Sequence, residues 1–91
     1  MTITKESVAV KVRVMSVRWF EQWNRWKRVR EYKACVTMAP VEGGVPMVTF
    51  TASRFAETVK EGGEYEIECK HKDYRRYRDE EQELVTHCRV T

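Results

Sequence analysis

The sequence predicts an all-β domain of five strands, with one short helix between the third and the fourth. Three observations carry the prediction. Apolar and polar residues alternate with a period of two in four separate stretches. Proline and glycine punctuate the chain at 40–46 and again at Gly62-Gly63. One short segment after the third strand places its apolar residues at helical spacing and runs into that glycine pair.

Each element follows in order. Val8, Val10, Val12 and Val14 alternate with Ala9, Lys11 and Arg13, giving a first strand with one buried face that runs to about Val17. Trp19, Trp23 and Trp26 then stand four and three apart, the spacing of a helix stripe, so a short helix or a structured loop is expected before the second strand. Ala34, Val36 and Met38 alternate with Lys33, Cys35 and Thr37 within a second strand from about Arg28 to Ala39. Pro40 to Pro46 is a turn, and Met47 to Thr51, rich in Val, Thr and Phe, is a third strand. Ser53 is placed to cap a short helix whose apolar stripe is Ala52, Phe55, Ala56 and Val59, and Gly62-Gly63 ends it. Tyr65, Ile67 and Cys69 alternate with glutamates and Lys70 in a fourth strand. Leu84, Thr86, Cys88 and Val90 mark a fifth, with Asp73 to Gln82 as a polar hairpin arm between them.

No linker, repeat or low-complexity stretch divides the 91 residues, which read as one domain, 1–91. A chain of that size buries about two-thirds of its unfolded surface, enough for one small core but not for a deep catalytic cleft. At 42% hydrophobic and 34% charged, it is too apolar for a disordered chain. No apolar run approaches the roughly 20 residues of a membrane span. Met1 to Glu6 has no apolar signal region, and the cysteine count of three is odd, so free thiols in a reducing cytoplasm are expected.

Charge is distributed unevenly. Arg18 to Lys33 holds six Lys/Arg against two Glu, and Lys70 to Arg78 holds five against one Asp, so each carries +4 while the whole chain carries only +3. The same two segments contain all three Trp and three of the four Tyr. Cations attract phosphates and flat rings stack on unpaired bases, so together they point to single-stranded nucleic acid. The order β-β-β-α-β-β is also the layout of an OB-fold barrel. That fold binds ligands on strands two and three, between the loops joining strands one to two and four to five. Both basic segments fall on those loops.

The stretch from Val59 through Gly62-Gly63 and Tyr65-Glu66-Ile67-Glu68-Cys69 to Tyr74, closed by Gln82 to Val90, resembles the last two strands of OB-fold single-stranded DNA-binding proteins. It is most similar to the small OB domains of phage and mobile-element replication proteins. About the last 40 residues carry the resemblance, and the first 50 match by strand order alone. The chain departs from the pattern at the hairpin tip, where Arg78-Asp79-Glu80-Glu81 stands in place of a glycine-bearing turn. The resemblance implies sequence-tolerant binding of single-stranded DNA, or of RNA, as an accessory factor in replication or recombination.

The residues expected to carry the binding are Arg18, Trp19, Trp23, Arg25, Trp26, Lys27, Arg28, Arg30 and Lys33 in the first segment, and Lys70, Lys72, Tyr74, Arg75, Arg76, Tyr77 and Arg78 in the second. For the Trp cluster, core packing, base stacking and a protein interface all remain open. The interface reading would make the domain an adaptor docking a replication helicase, primase or polymerase, or a second copy of the chain. Cys69, His71, His87 and Cys88 have zinc-ligating side chains, but strand alternation sends His87 and Cys88 to opposite faces. Small buried cysteines are expected instead, with no metal and no cofactor. No nucleophile-base spacing, phosphate-cradling glycine loop or HExxH motif points to an enzyme.

Overall fold

The first strand is longer than its valine alternation suggests, and its length organises the fold. In the computed structural model, which describes residues 7–51 and 54–91, β1 runs Ser7–Asn24. It is followed by β2 (Val29–Pro40), β3 (Met47–Thr51), α1 (Arg54–Thr58), β4 (Glu64–Tyr77) and β5 (Glu80–Val90). The first part of β1 pairs antiparallel with β4, from Ser7 opposite Lys70 to Arg13 opposite Glu64. From Val12 onward it pairs with β2. A bulge between Val14 and Ser16 lets one strand serve both neighbours, because the extra residue bends it. Antiparallel β2–β3 and β4–β5 pairs and a parallel β3–β5 contact complete a closed barrel in the order β1-β2-β3-β5-β4. This is the expected five-stranded OB-fold barrel, with its one helix between β3 and β4.

The inward faces of the strands meet in a core of Val12, Val14, Ala34, Val36, Met38, Met47, Ile67, Cys69 and Val85. Phe55, Ala56 and Val59 close one end of it, each 5% exposed or less. These are three of the four residues expected to form the helix stripe. Ala52 and the Ser53 cap lie outside the described residues. The helix ends at Thr58, earlier than the glycines suggest. Gly62 and Gly63 instead anchor the return to β4: the Gly62 N–H donates to the Val14 carbonyl (2.8 Å), and the Val14 N–H donates to the Gly63 carbonyl (2.9 Å). A Cβ on Gly63 would stand 2.7 Å from the Tyr65 ring.

Two expectations need correction. The Trp segment is mostly strand rather than helix or loop: β1 continues to Asn24 against β2, Trp19 and Trp23 lie in the strand opposite Ala34 and Arg30, and only Trp26 falls in the turn. Residues four apart share a face in a strand as well as in a helix. The aromatic content favours the strand, and a cross-strand partner of matching length is available. None of the three Trp enters the core: Trp19, Trp23 and Trp26 are 46%, 56% and 96% exposed. The polar arm is likewise mostly strand. β4 runs on to Tyr77 and β5 begins at Glu80, so only Arg78 and Asp79 form the turn. Their φ angles of 51° and 63° make a two-residue turn of the mirror-image type that hairpins favour, without its usual glycine.

Candidate nucleic-acid interface

The outer face of β2 and β3 is the centre of the site. Residues directly opposite in register point to the same side. Val36 is fully buried, so its partners Val17 and Thr49 face inward, and the alternate pairs Arg18–Cys35 and Cys35–Phe50 face outward. Phe50 is therefore half exposed on a strand whose other residues from Met47 to Thr49 are buried. Past the barrel rim the same outer face of the β1–β2 ribbon carries the pairs Phe20–Lys33 and Gln22–Glu31, ending in Asn24–Val29.

The β4–β5 arm leans over this face. It is bent by two bulges, one around Cys69 and His87 and one at Lys72. His87 takes a left-handed φ of 54° to make the first. The pairs Arg75–Gln82 and Tyr77–Glu80 share one face of the arm. A cavity of about 360 Å³ lies between the arm and the sheet, lined by Arg18, Cys35, Phe50, Arg75, Tyr77 and Arg78, among others. Rings and guanidinium groups alternate along it. The Phe20 and Phe50 rings meet edge-to-face at 6.4 Å. The Arg75 guanidinium lies 5.4 Å from the centre of the Phe50 ring and 5.2 Å from that of Tyr77, and the Arg78 guanidinium lies 5.3 Å from the centre of Tyr77. The Arg75 Nε–H donates to Gln82 Oε1 at 2.9 Å, which fixes the guanidinium plane over the groove.

The ribbon tip is a four-residue turn, Arg25 to Arg28. Asn24 Oδ1 caps it by accepting from the backbone N–H groups of Trp26 (3.0 Å) and Lys27 (3.1 Å). Arg28 closes it at φ 53°. Both hairpin tips thus hold an arginine in left-handed backbone, where Gly or Asn is ordinarily preferred. Non-glycine residues kept in this region cluster at functional sites.

The expected residues divide into four groups. Arg18, Lys33, Arg75, Tyr77 and Arg78 lie along the groove or its continuation on the outer face. Arg25, Trp26, Lys27 and Arg28 form the ribbon tip. By register Trp19, Trp23 and Arg30 lie on the ribbon's opposite face with Tyr32, where Arg30 pairs with Glu21 at 3.6 Å, and Trp23 also borders a pocket at the ribbon tip. The Tyr32 hydroxyl bonds to the same carboxylate, which raises its pKa above the usual tyrosine value. Lys70, Lys72, Tyr74 and Arg76 do not line the groove. The Tyr74 ring turns away to pack on His71 at 4.6 Å, and Arg76 stands opposite Glu81 on the arm's other side.

Sequence reasoning missed Phe20, Phe50, Cys35 and Gln82. Phe50 was detectable: once β3 is assigned to a barrel with Thr49 inward, its neighbour must face out, onto the ligand side of the fold.

Among the described residues, no three His, Cys, Asp or Glu side chains converge as a metal site would require. Cys69 and Cys88 interact directly. Cys69 donates its hydrogen bond to Cys88 and is buried, both of which hold its proton on, while Cys88 is shifted down by accepting that bond and one from Thr49. No helix among the described residues is long and apolar enough to cross a membrane. No family model matches the chain, and neither a curated protein nor a solved structure matches it.

Proposed function

We propose that this protein binds single-stranded DNA in a largely sequence-tolerant way, as an accessory factor in replication or recombination of the phage or mobile-element kind. The observation that carries the reading is the line of rings and guanidinium groups from Phe20 through Phe50, Arg75 and Tyr77 to Arg78, on the outer face of an OB-fold barrel. Stacking needs unpaired bases, whose faces are open, and guanidinium groups beside the rings suit the phosphates that accompany them. The resemblance of the last two strands to single-stranded DNA-binding proteins supports the cellular role. Anisotropy of a labelled 30-nucleotide oligo(dT), beside an RNA strand and a duplex of equal length, tests it. Saturable binding to the DNA strand that weakens with salt and exceeds duplex binding is expected. Stronger binding to RNA would reassign the ligand, and flat titrations at low salt would end the reading.

A second reading rests on a separate observation. Trp19, Trp23 and Tyr32 are exposed on the ribbon face that points away from the groove. Aromatic residues beside arginine are favoured anchors of protein interfaces. This face would dock a replication helicase, primase or polymerase, or a second copy of the chain. Such a contact should survive Arg18→Ala/Arg75→Ala/Arg78→Ala and be lost in Trp19→Ala/Trp23→Ala, as read by pull-down with the purified enzyme.

A further inference from the structure

We propose that a pocket at the β1–β2 ribbon tip reads one base of the bound strand and favours guanine there. The inference rests on the single-strand reading and adds a point of selectivity to it.

The pocket has a volume of about 360 Å³, at the small end of the roughly 300–1,000 Å³ range of small-ligand sites. Gln22, Trp23, Trp26, Glu31 and Lys33 line it. Gln22 and Glu31 are directly opposite in register, on the same outer face as Phe20 and Lys33. A strand leaving the Phe20–Phe50 rings along that face arrives at this pocket. Trp26, nearly fully exposed in the turn, offers a stacking surface.

Glu31 is the informative residue. It is the only carboxylate on the outer face of the ribbon between Arg18 and Lys33. A carboxylate repels phosphates, so in a tract that attracts them it needs a partner that donates hydrogen bonds. Its Oε1 accepts from Asn24 Nδ2 at 3.1 Å and stands 3.7 Å from Lys27 Nζ. Neither contact uses Oε2. Phosphates have only acceptors to offer, whereas bases carry donors. Guanine presents its ring N1–H and exocyclic N2–H₂ side by side, which suits a carboxylate, and next to them the O6 acceptor, which suits the Gln22 amide or the Lys33 ammonium. Adenine and cytosine offer one amino group beside an acceptor nitrogen. Thymine offers one N–H flanked by two carbonyl oxygens, the poorest match to a carboxylate.

The test is competition of unlabelled 24-mers against a labelled oligo(dT), comparing T24 with (TTTG)6, (TTTA)6 and (TTTC)6. Isolated guanines avoid four-stranded structures. The expected result is roughly tenfold tighter binding of (TTTG)6 than of T24. In Glu31→Gln, which keeps an oxygen for Asn24 but replaces the other acceptor with a donor, the four affinities should converge. Gln22→Ala, an exposed change near the end of β1, should narrow the guanine preference if Glu31→Gln proves unfolded by circular dichroism. Equal wild-type affinities overturn the pocket and leave the single-strand reading standing. A guanine preference that survives in both variants also overturns it. No binding of any of the four overturns the single-strand reading itself.

Discussion

Phe50 is the residue on which the proposed single-strand binding depends most, and it carries no charge to announce it. It was legible only through the alternation of a five-residue strand whose outward side is the ligand side of the fold. The Trp residues are larger, yet they lie at the tip or on the back of the ribbon. Phe50→Ala should weaken oligo(dT) binding by about 1–3 kcal/mol, as loss of one stacking platform does. Because the ring is half exposed, the barrel's stability should fall by much less than the about 3–5 kcal/mol of a buried Phe truncation, as read by urea denaturation. The cysteines offer an independent check. Cys35 lies half-buried in the groove, whereas Cys69 is 2% exposed and its bond to Cys88 holds its proton on. The thiolate is the reactive form, so a maleimide should label Cys35 on the native protein and Cys69 only after unfolding. Bound oligo(dT) should protect Cys35. Peptide mapping by mass spectrometry distinguishes the sites, and unchanged Cys35 labelling would place the strand elsewhere.

Among the elements, the strands inside the barrel were read closely: β2, from its alternation, differs by one residue at each end, and β3, from its Val, Thr and Phe content after a Pro/Gly turn, has the expected limits. The two ribbons are hidden in the sequence for a common physical reason. Beyond the barrel rim both faces meet water, the polar alternation fades, and a strand resembles a loop in composition. In β1 the bulge at Met15 also resets the phase, and the spacing of Trp19 and Trp23 satisfies a helix and a strand equally. The β4–β5 tip shows a cost that only the backbone reveals. Arg78 and Asp79 both adopt left-handed φ, which L side chains disfavour by roughly 1–2 kcal/mol in general and aspartate by less. Asp79→Gly should therefore stabilise the fold by about 0.5–1 kcal/mol, seen as a higher denaturation midpoint with an unchanged slope. It leaves the Arg78 side chain beside Tyr77, so oligo(dT) affinity should not fall. A lower midpoint would mean that the turn is built differently.

Across the whole molecule, the modest net charge of +3 conceals a separation of charge. The Glu64, Glu66 and Glu68 row on β4 stands beside β1 rather than the groove, with Glu64 and Glu68 ion-paired to Arg13 and Arg89. Arg18, Lys33, Arg75 and Arg78 along the groove and its continuation, with Arg25 and Arg28 at the tip, form no ion pair with a described carboxylate. They need not break one to meet a phosphate. If all six contact phosphates, counterion release from a single strand gives a slope of about −4 in log affinity against log salt, at roughly −0.7 per contact. Arg18→Ala/Arg75→Ala/Arg78→Ala should reduce that slope to about −2. Arg13→Ala/Arg89→Ala removes two charges from the acidic side and should leave the slope unchanged, although both variants lower the net charge. That comparison separates a localised binding face from attraction by net charge. If binding follows net charge alone, both variants should weaken it in proportion to the charges removed. If the groove holds the strand, only the first should, and its remaining slope reports the cations left along the ribbon.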